Sequence, residues 1–223
     1  MTSFDPGQGW VKICGVRSIE DARLCFDAGA DAVGINLWSE SPRSVSLVQG
    51  ARIAEAVRGI GAVVCVTVNA SRAELKAIFE EVAPDFIQLH GEEEPGPTEE
   101  WRDRVFKAVG LGGALDAAVA REWPGPFVLV DARDEVARGG TGRAPPGELV
   151  SQVCAYRPTV LAGGLTPENV SLAIKRFRPT GVDTASGVET RPGVKDPDKV
   201  RRFVAGAREA FKELSRGGPV QNG

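Results

Sequence analysis

Short apolar runs alternate with amphipathic segments along the whole chain, and this alternation predicts its secondary structure. The run at residues 62–68 is apolar throughout, as is typical of a strand buried on both faces. Eight such runs are predicted strands, at residues 10–15, 31–36, 62–68, 86–90, 105–109, 127–131, 159–163 and 181–184. Segments with helical periodicity follow them, at residues 18–29, 47–58, 71–82, 98–104, 114–122, 147–156, from 166 onward and at 198–214.

Eight strand–helix alternations in a chain of this length predict a single (β/α)₈ TIM barrel. The alternative is an open doubly wound sheet, which needs a switch point and usually has fewer strands. No linker-like change in composition divides the chain, so we expect one domain over residues 1–223. A short flexible N-terminus and a tail at residues 215–223 are expected at its ends.

Composition narrows the possible partners and location. The chain of 223 residues has a formal net charge of -3, with 42% hydrophobic and 26% charged residues. This charge disfavours nucleic acid and anionic membranes as partners. No signal peptide or membrane-spanning stretch is visible in the sequence. The cysteines lack disulfide or metal-site spacing, which predicts reduced thiols, no metal site and a cytoplasmic protein; they are Cys14, Cys25, Cys65 and Cys154.

Two predicted strands end on a residue that packing alone explains poorly. Side chains alternate between the faces of a strand, so Cys14 shares a face with Lys12. By the same alternation, Asp131 shares a face with Leu129. In a parallel barrel both strands end at the same rim, where a thiol and a carboxyl form a candidate acid–base pair.

The environment of Cys14 decides whether its thiol is reactive. A free cysteine is most often a buried, inert residue, and this interpretation stays open. Lys12 lies on the same inward face as Cys14, one layer deeper in the predicted barrel. Its ammonium is expected to lower the pKa of the thiol if no carboxylate neutralises it. Lys12 is therefore a further candidate residue of the site.

Glycine-rich loops follow the last strands of the predicted barrel. Glycines let main-chain N–H groups approach an anion closely, and a helix start adds a positive dipole end. Their placement predicts a phosphate site, although tight turns that close the strands are the alternative. The candidate residues are Gly140, Gly142, Gly163, Gly164, Ser186 and Gly187.

Three further polar residues lie where the predicted strands end or in the loops beyond. Arg43 follows a proline and is either an anion clamp for a carboxylate or a solvated surface arginine. His90 either contacts the substrate or forms a structural polar layer with Gln88. Asp183 either contacts the substrate or hydrogen-bonds a neighbouring loop.

Six short motifs, in order from Lys12 to about Lys195, resemble phosphoribosylanthranilate isomerase of tryptophan biosynthesis. Each motif is weak alone, but the ordered set is highly specific. The motifs are Lys12-Ile13-Cys14-Gly15-Val16-Arg17, Ser41-Pro42-Arg43, Gln88-Leu89-His90-Gly91, Asp131 followed by Gly139-Gly140-Thr141-Gly142, Ala162-Gly163-Gly164-Leu165, and Gly181-Val182-Asp183 with Ser186-Gly187-Val188-Glu189.

The resemblance implies an aldose–ketose isomerase that performs the Amadori rearrangement of N-(5-phosphoribosyl)anthranilate without a cofactor. It implies that Cys14 is the general base, Asp131 the general acid and Arg43 the residue that orients the substrate. The only partner expected is this small phosphorylated substrate, and a monomer is favoured over a homodimer. The alternatives are another phosphate-binding barrel enzyme of tryptophan or histidine biosynthesis, or an idle barrel that serves as a binding partner.

Overall fold

A computed structural model describes residues 9–131 and 146–216 of the chain. Its central strands are β1 (Trp10–Cys14), β2 (Ala32–Asn36), β3 (Ala62–Thr67), β4 (Phe86–Leu89), β5 (Val105–Gly110), β6 (Val128–Asp131), β7 (Thr159–Ala162) and β8 (Gly181–Thr184). Each strand pairs in parallel with the next, and β8 pairs with β1 to close a barrel. The predicted (β/α)₈ barrel is confirmed. An open sheet is wrong, because it would leave β1 and β8 as unpaired edges.

Helices follow the strands and cover the outside of the barrel. They are α1 (Ile19–Asp27), α2 (Leu47–Ala56), α3 (Arg72–Glu81), α4 (Ala114–Glu122), α5 (Pro146–Tyr156), α6 (Val170–Phe177) and α7 (Pro197–Arg216). Ser18 begins α1 as the sequence predicted, because its hydroxyl accepts the Asp21 main-chain N–H at 3.0 Å. Among the described residues, no helix is long and apolar enough to cross a membrane.

Two predicted helices differ in the structure. The segment Gly96–Arg104 is a 3₁₀ helix with a kink at Trp101, since prolines at its start disturb regular helical bonding. α6 begins at Val170 and not at Thr166. The cause is Asn169, whose side chain accepts the Thr166 N–H at 2.8 Å and holds residues 167–169 as a turn.

The ends of the last two elements also differ from the prediction. α7 continues to Arg216, so residues 215 and 216 are helical and not part of a frayed tail as predicted, and residues 217–223 lie outside the described residues. Between β8 and α7, a 3₁₀ turn (Ser186–Val188) leads into an antiparallel hairpin of β9 (Glu189–Arg191) and β10 (Val194–Lys195). The sequence analysis did not predict this hairpin.

Aromatic side chains fill the barrel interior towards the amino-terminal ends of the strands. Ring centroids within this group lie 4.3 to 6.3 Å apart, and its members are Trp10, Phe86, Phe106 and Phe127. Leu129 packs with them in the same inner cluster, whereas Val128 and Val130 pack with the helices. This confirms the predicted alternation along β6 and leaves Asp131 at the inner rim.

Truncating the aromatic layer should destabilise the barrel. Phe127 is fully buried, so Phe127→Ala should lower the free energy of unfolding by about 3–5 kcal/mol. Leu115, 84% exposed on α4, supplies the control, and Leu115→Ala should change it by less than about 0.5 kcal/mol. Urea unfolding measures both variants. Equal losses would show that the barrel does not depend on this layer.

Candidate active site

A cavity opens at the carboxyl-terminal rim of the barrel. Cys14 at the end of β1 and Asp131 at the end of β6 both line it, so the structure brings the predicted acid–base pair to one site. Six other predicted site residues also line the cavity: Arg43, His90, Gly163, Gly164, Asp183 and Ser186. The remaining lining residues are Asn36, Ser41, Val66, Gln88, Leu129, Ala162, Thr184 and Ala185.

Lys12 lies beneath the cavity and is not part of its lining. The side chain is fully buried, and its Nζ donates to Asp183 Oδ1 at 2.9 Å. Burial alone would lower the pKa of Lys12, but the charge of Asp183 outweighs burial with help from Cys14, and the pKa is raised. Lys12 is therefore a buried cation whose charge is matched by a carboxylate at the cavity wall.

Gly34 on β2 provides the space that this arrangement needs. It is the neighbour of Cys14 in the pairing of β1 with β2. A Cβ at this position would lie 2.7 Å from Cys14 Sγ and 3.1 Å from Lys12 Nζ. A larger residue here would push the thiol or the ammonium from its place.

The pKa of the Cys14 thiol is raised. Burial is the largest cause, and the Asp183 carboxylate raises the pKa further. Lys12 and Lys195 lower it, but by less than the opposing effects. Lys12 does act to lower the pKa of the thiol, but the condition attached to the prediction is not met, because Asp183 neutralises the ammonium and burial penalises the thiolate.

His90 forms the polar layer that one interpretation of its sequence position predicted. Its Nδ1 lies 3.0 Å from Gln88 Nε2, so the two side chains form a polar layer, and the ring also borders the cavity. Burial lowers the pKa of His90, and the nearby Asp131 carboxylate offsets this only in part. The imidazole is therefore neutral near pH 7, where it offers the cavity one uncharged ring nitrogen.

Arg43 lies at the cavity wall, and its guanidinium is already engaged on one side. Its Nε donates to Glu189 Oε1 at 2.9 Å, and its Nη2 donates to Glu189 Oε2 at 2.7 Å. Lys195 also donates to Glu189 Oε1, at 2.9 Å, and to the Cys14 carbonyl at 2.6 Å. Burial alone would raise the pKa of Glu189, but these two cations lower it. Arg43 is thus part of an ion-pair network and not a solvated surface residue.

The loops after β7 and β8 meet at one edge of the cavity. Gly163 and Gly164 have φ values of +93° and +65°, a region that favours glycine. A Cβ on Gly164 would find no atom within 4 Å, so this glycine faces open space. The Thr184 hydroxyl donates to the Leu165 carbonyl at 2.7 Å and ties the two loops together.

The other predicted phosphate residues have different positions. Ser186 lines the cavity, whereas Gly187 does not. A Cβ on Gly187 would lie 1.9 Å from the Leu165 carbonyl oxygen, so this glycine permits close packing of the two loops. Gly140 and Gly142 lie outside the described residues.

The arrangement suits proton transfer. A thiol, a carboxyl and a neutral imidazole surround one cavity, and each can exchange a proton with a bound molecule. Within residues 9–131 and 146–216, no group of three or more His, Cys, Asp or Glu side chains is placed to hold a metal ion.

Comparisons with known proteins place the chain in one family. A family profile described as N-(5'phosphoribosyl)anthranilate (PRA) isomerase matches residues 11–206. The chain belongs to this family. Among named relatives, N-(5'-phosphoribosyl)anthranilate isomerase of Pseudomonas fluorescens strain Pf0-1 is 42% identical over 88% of this chain and 97% of its own length. The protein of that name from Magnetococcus marinus is 39% identical over 90% of this chain and 95% of its own length.

Solved structures agree with these relatives. The phosphoribosyl anthranilate isomerase of Thermotoga maritima has a TM-score of 0.80 and 35% identity, over 90% of this chain and 99% of its own. Another isomerase structure, in complex with reduced 1-(o-carboxyphenylamino)-1-deoxyribulose 5-phosphate, has a TM-score of 0.79 and 34% identity over the same shares.

Sequence reasoning missed Glu189 and Lys195 as residues of the site. The Pro192-Gly193 dipeptide between them is a turn signal that could have predicted the hairpin, and with it their approach. Sequence reasoning also missed Thr184, because no local sequence pattern signals the hydrogen bond from its hydroxyl to the Leu165 carbonyl.

The raised pKa of Cys14 should appear in the pH dependence of catalysis. If the thiolate is the base, kcat/KM of the family's reaction should keep rising with pH beyond the ordinary thiol value of ~8.5, because the active form appears only above the raised pKa. Thiolate absorbance should follow the same curve. Burial also raises the pKa of Cys25 and of Cys154, to about 12, so the absorbance step of Cys14 has to be assigned with a variant.

Cys14→Ser supplies the control for this titration, since the absorbance step that follows the kcat/KM curve should be missing in that variant. An acid limb that lies below the ordinary thiol value, or the survival of that same absorbance step in Cys14→Ser, would contradict the assignment.

Proposed function

We propose that this chain catalyses the Amadori rearrangement of N-(5-phosphoribosyl)anthranilate to 1-(2-carboxyphenylamino)-1-deoxyribulose 5-phosphate, an aldose–ketose isomerisation of tryptophan biosynthesis. The observation that carries the proposal is that Cys14 and Asp131 line one cavity at the active rim of the barrel. Membership of the isomerase family supports the same reaction. The residue roles below are part of the proposal.

Asp131 acts first, as the general acid. Its protonated carboxyl donates a proton to the ribose ring oxygen, the bond from that oxygen to C1′ breaks, and the nitrogen lone pair forms a protonated Schiff base. The position of Asp131 on the cavity wall, facing the space shared with Cys14, supports this role.

Cys14 acts second, as the general base. Its thiolate takes the proton from C2′, and the electrons of that bond form a C1′–C2′ double bond while the nitrogen becomes neutral. The resulting enolamine then loses its 2′-hydroxyl proton and gains one at C1′, which gives the ketone. No electron acceptor is needed, because oxidation at C2′ balances reduction at C1′.

The two charged ends of the substrate find complementary groups at the cavity. Arg43 has a free guanidinium edge for the anthranilate carboxylate. The phosphate fits the main-chain N–H groups near Gly163, Gly164 and Ser186, where the positive φ values and open space allow close approach. Asp183 and His90, whose side chains border the same cavity, are proposed to contact the sugar.

Other expectations remain part of the proposal. We propose a monomeric, cytoplasmic enzyme that acts on this small phosphorylated substrate without a cofactor. The large apolar side chains that are exposed lie on several different elements; they include Val48 on α2, Leu115 on α4 and Leu172 on α6. Such scattered residues do not demand a partner.

Removing either proton-transfer group should abolish most turnover. Cys14→Ser and Asp131→Asn should each lower kcat by roughly hundredfold or more, with KM changed much less, because each group acts on the reacting atoms. The assay for kcat and KM uses freshly made phosphoribosylanthranilate and follows the disappearance of anthranilate fluorescence.

Cys154→Ser is the matched control, because Cys154 lies on α5 outside the cavity lining, and it should retain wild-type kcat. Wild-type protein without turnover would support the idle-barrel alternative. Near-wild-type kcat in either active-site variant would remove that residue from the mechanism.

The phosphate site should tolerate the loss of a hydroxyl but not a new side chain at Gly164. Gly164→Val places a side chain in the open space of the loop and strains a φ of +65°, so KM should rise strongly. Ser186→Ala removes one hydroxyl and should raise KM by less than about tenfold. In both variants kcat should fall less than in Cys14→Ser. Steady-state kinetics and competition by inorganic phosphate test this, and an unchanged KM in Gly164→Val would place the phosphate elsewhere.

A further inference from the structure

The hairpin of β9 and β10 carries a buried ion pair that the proposed mechanism does not use. Glu189 and Lys195 side chains are 3% and 0% exposed, and their charged atoms lie 2.9 Å apart. Burying such a pair is costly unless further hydrogen bonds satisfy both partners. In this structure further hydrogen bonds satisfy both Glu189 and Lys195, and these bonds reach two residues of the site, Arg43 and Cys14.

Each partner of the pair holds a different part of the site. Glu189 accepts from Nε and Nη2 of Arg43, on one edge of the guanidinium. Lys195 donates to the main-chain carbonyl of Cys14 at 2.6 Å and to that of Ala185 at 3.3 Å. Gly15 allows the Arg43 side chain to pack closely against the main chain, because a Cβ on Gly15 would lie only 2.5 Å from Arg43 Cδ. The stem of Arg43 therefore lies directly against the residue that follows Cys14.

We propose that Glu189 and Lys195 are positioning residues for the isomerisation. Glu189 holds Arg43 by one edge so that the opposite edge meets the substrate carboxylate, and Lys195 fixes the main chain of Cys14 beside the same substrate. This inference rests on the proposed function, since it assigns the carboxylate of that substrate to Arg43.

Charge and geometry both support the assignment. Two cations, Arg43 and Lys195, share one carboxylate, so the cluster carries one positive charge that a substrate carboxylate would balance. A guanidinium has five N–H donors, and no described residue accepts from Nη1 of Arg43. The Nη1–Nη2 edge is therefore available for a bidentate bond to a carboxylate.

A double-mutant cycle tests the role of Glu189. In Glu189→Gln the amide N–H₂ must face one of the two cations, which breaks the hold on Arg43 whichever way the amide turns. KM should rise roughly tenfold, with a smaller change in kcat. In an Arg43→Met background the same substitution should change KM by less than about twofold, because the group it positions is gone.

Lys195→Met tests the other end of the pair. It should lower kcat roughly tenfold and move the acid limb of kcat/KM to higher pH, because a cation that faces the thiol is lost. The charged groups that face Cys14 are Lys12, Asp183, Arg43 and Lys195. Should the single variant fail to fold, Lys195→Met with Glu189→Gln avoids an unpaired buried carboxylate and should show the same shift.

Arg208→Met is the matched control. Arg208 also bridges two main-chain carbonyls, of Gly9 and Gly29, and one carboxylate, Asp31, at the opposite rim of the barrel. It should lower the unfolding midpoint without changing KM or the pH profile. If the wild type turns over but Glu189→Gln raises KM equally in both backgrounds, or Lys195→Met leaves the pH profile unmoved, the inference is overturned. A wild type without turnover would instead refute the proposed function.

Discussion

The buried ion pair between Lys12 and Asp183 is the interaction on which the site depends. It joins β1 to β8, the strand pair that closes the barrel, and its two members are direct cross-strand neighbours. An ammonium with no exposure to solvent needs a carboxylate, and a carboxylate at this depth needs a cation. The pair therefore fixes the register of the closing strands and the electrostatic setting of Cys14 together.

The same pair explains why the pKa of the Cys14 thiol is raised and not lowered. A lone buried lysine would stabilise the thiolate strongly, but the matched lysine leaves burial as the dominant influence and the pKa of Cys14 is raised. The raised pKa favours proton abstraction once the thiolate has formed, because a more basic thiolate binds the proton that it removes more tightly. Gly34 is the steric counterpart, since only a glycine leaves room for thiol and ammonium beside β2.

A second carboxylate, Glu189, organises another cluster of charges beside the cavity. It lies on the hairpin after β8 and collects two cations, one from the loop after β2 and one from β10. Thr184 links the same region to the loop after β7 through the Leu165 carbonyl. The groups proposed to bind both ends of the substrate are thus held by bonds between loops, whereas the acid and the base sit directly on strand ends.

The sequence by itself determined the barrel, the inward faces of its strands and the rim positions of Cys14 and Asp131. These follow from alternation along a strand and from parallel strand order, both of which are local properties of the chain. Only the tertiary structure decided the partners of Lys12, Arg43 and Cys14. Arg43 meets Glu189 across 146 positions of sequence, and Lys12 meets Asp183 across 171. Such pairings depend on side-chain reach and burial in the closed barrel, which no periodicity encodes, and the direction of the Cys14 pKa depends on them.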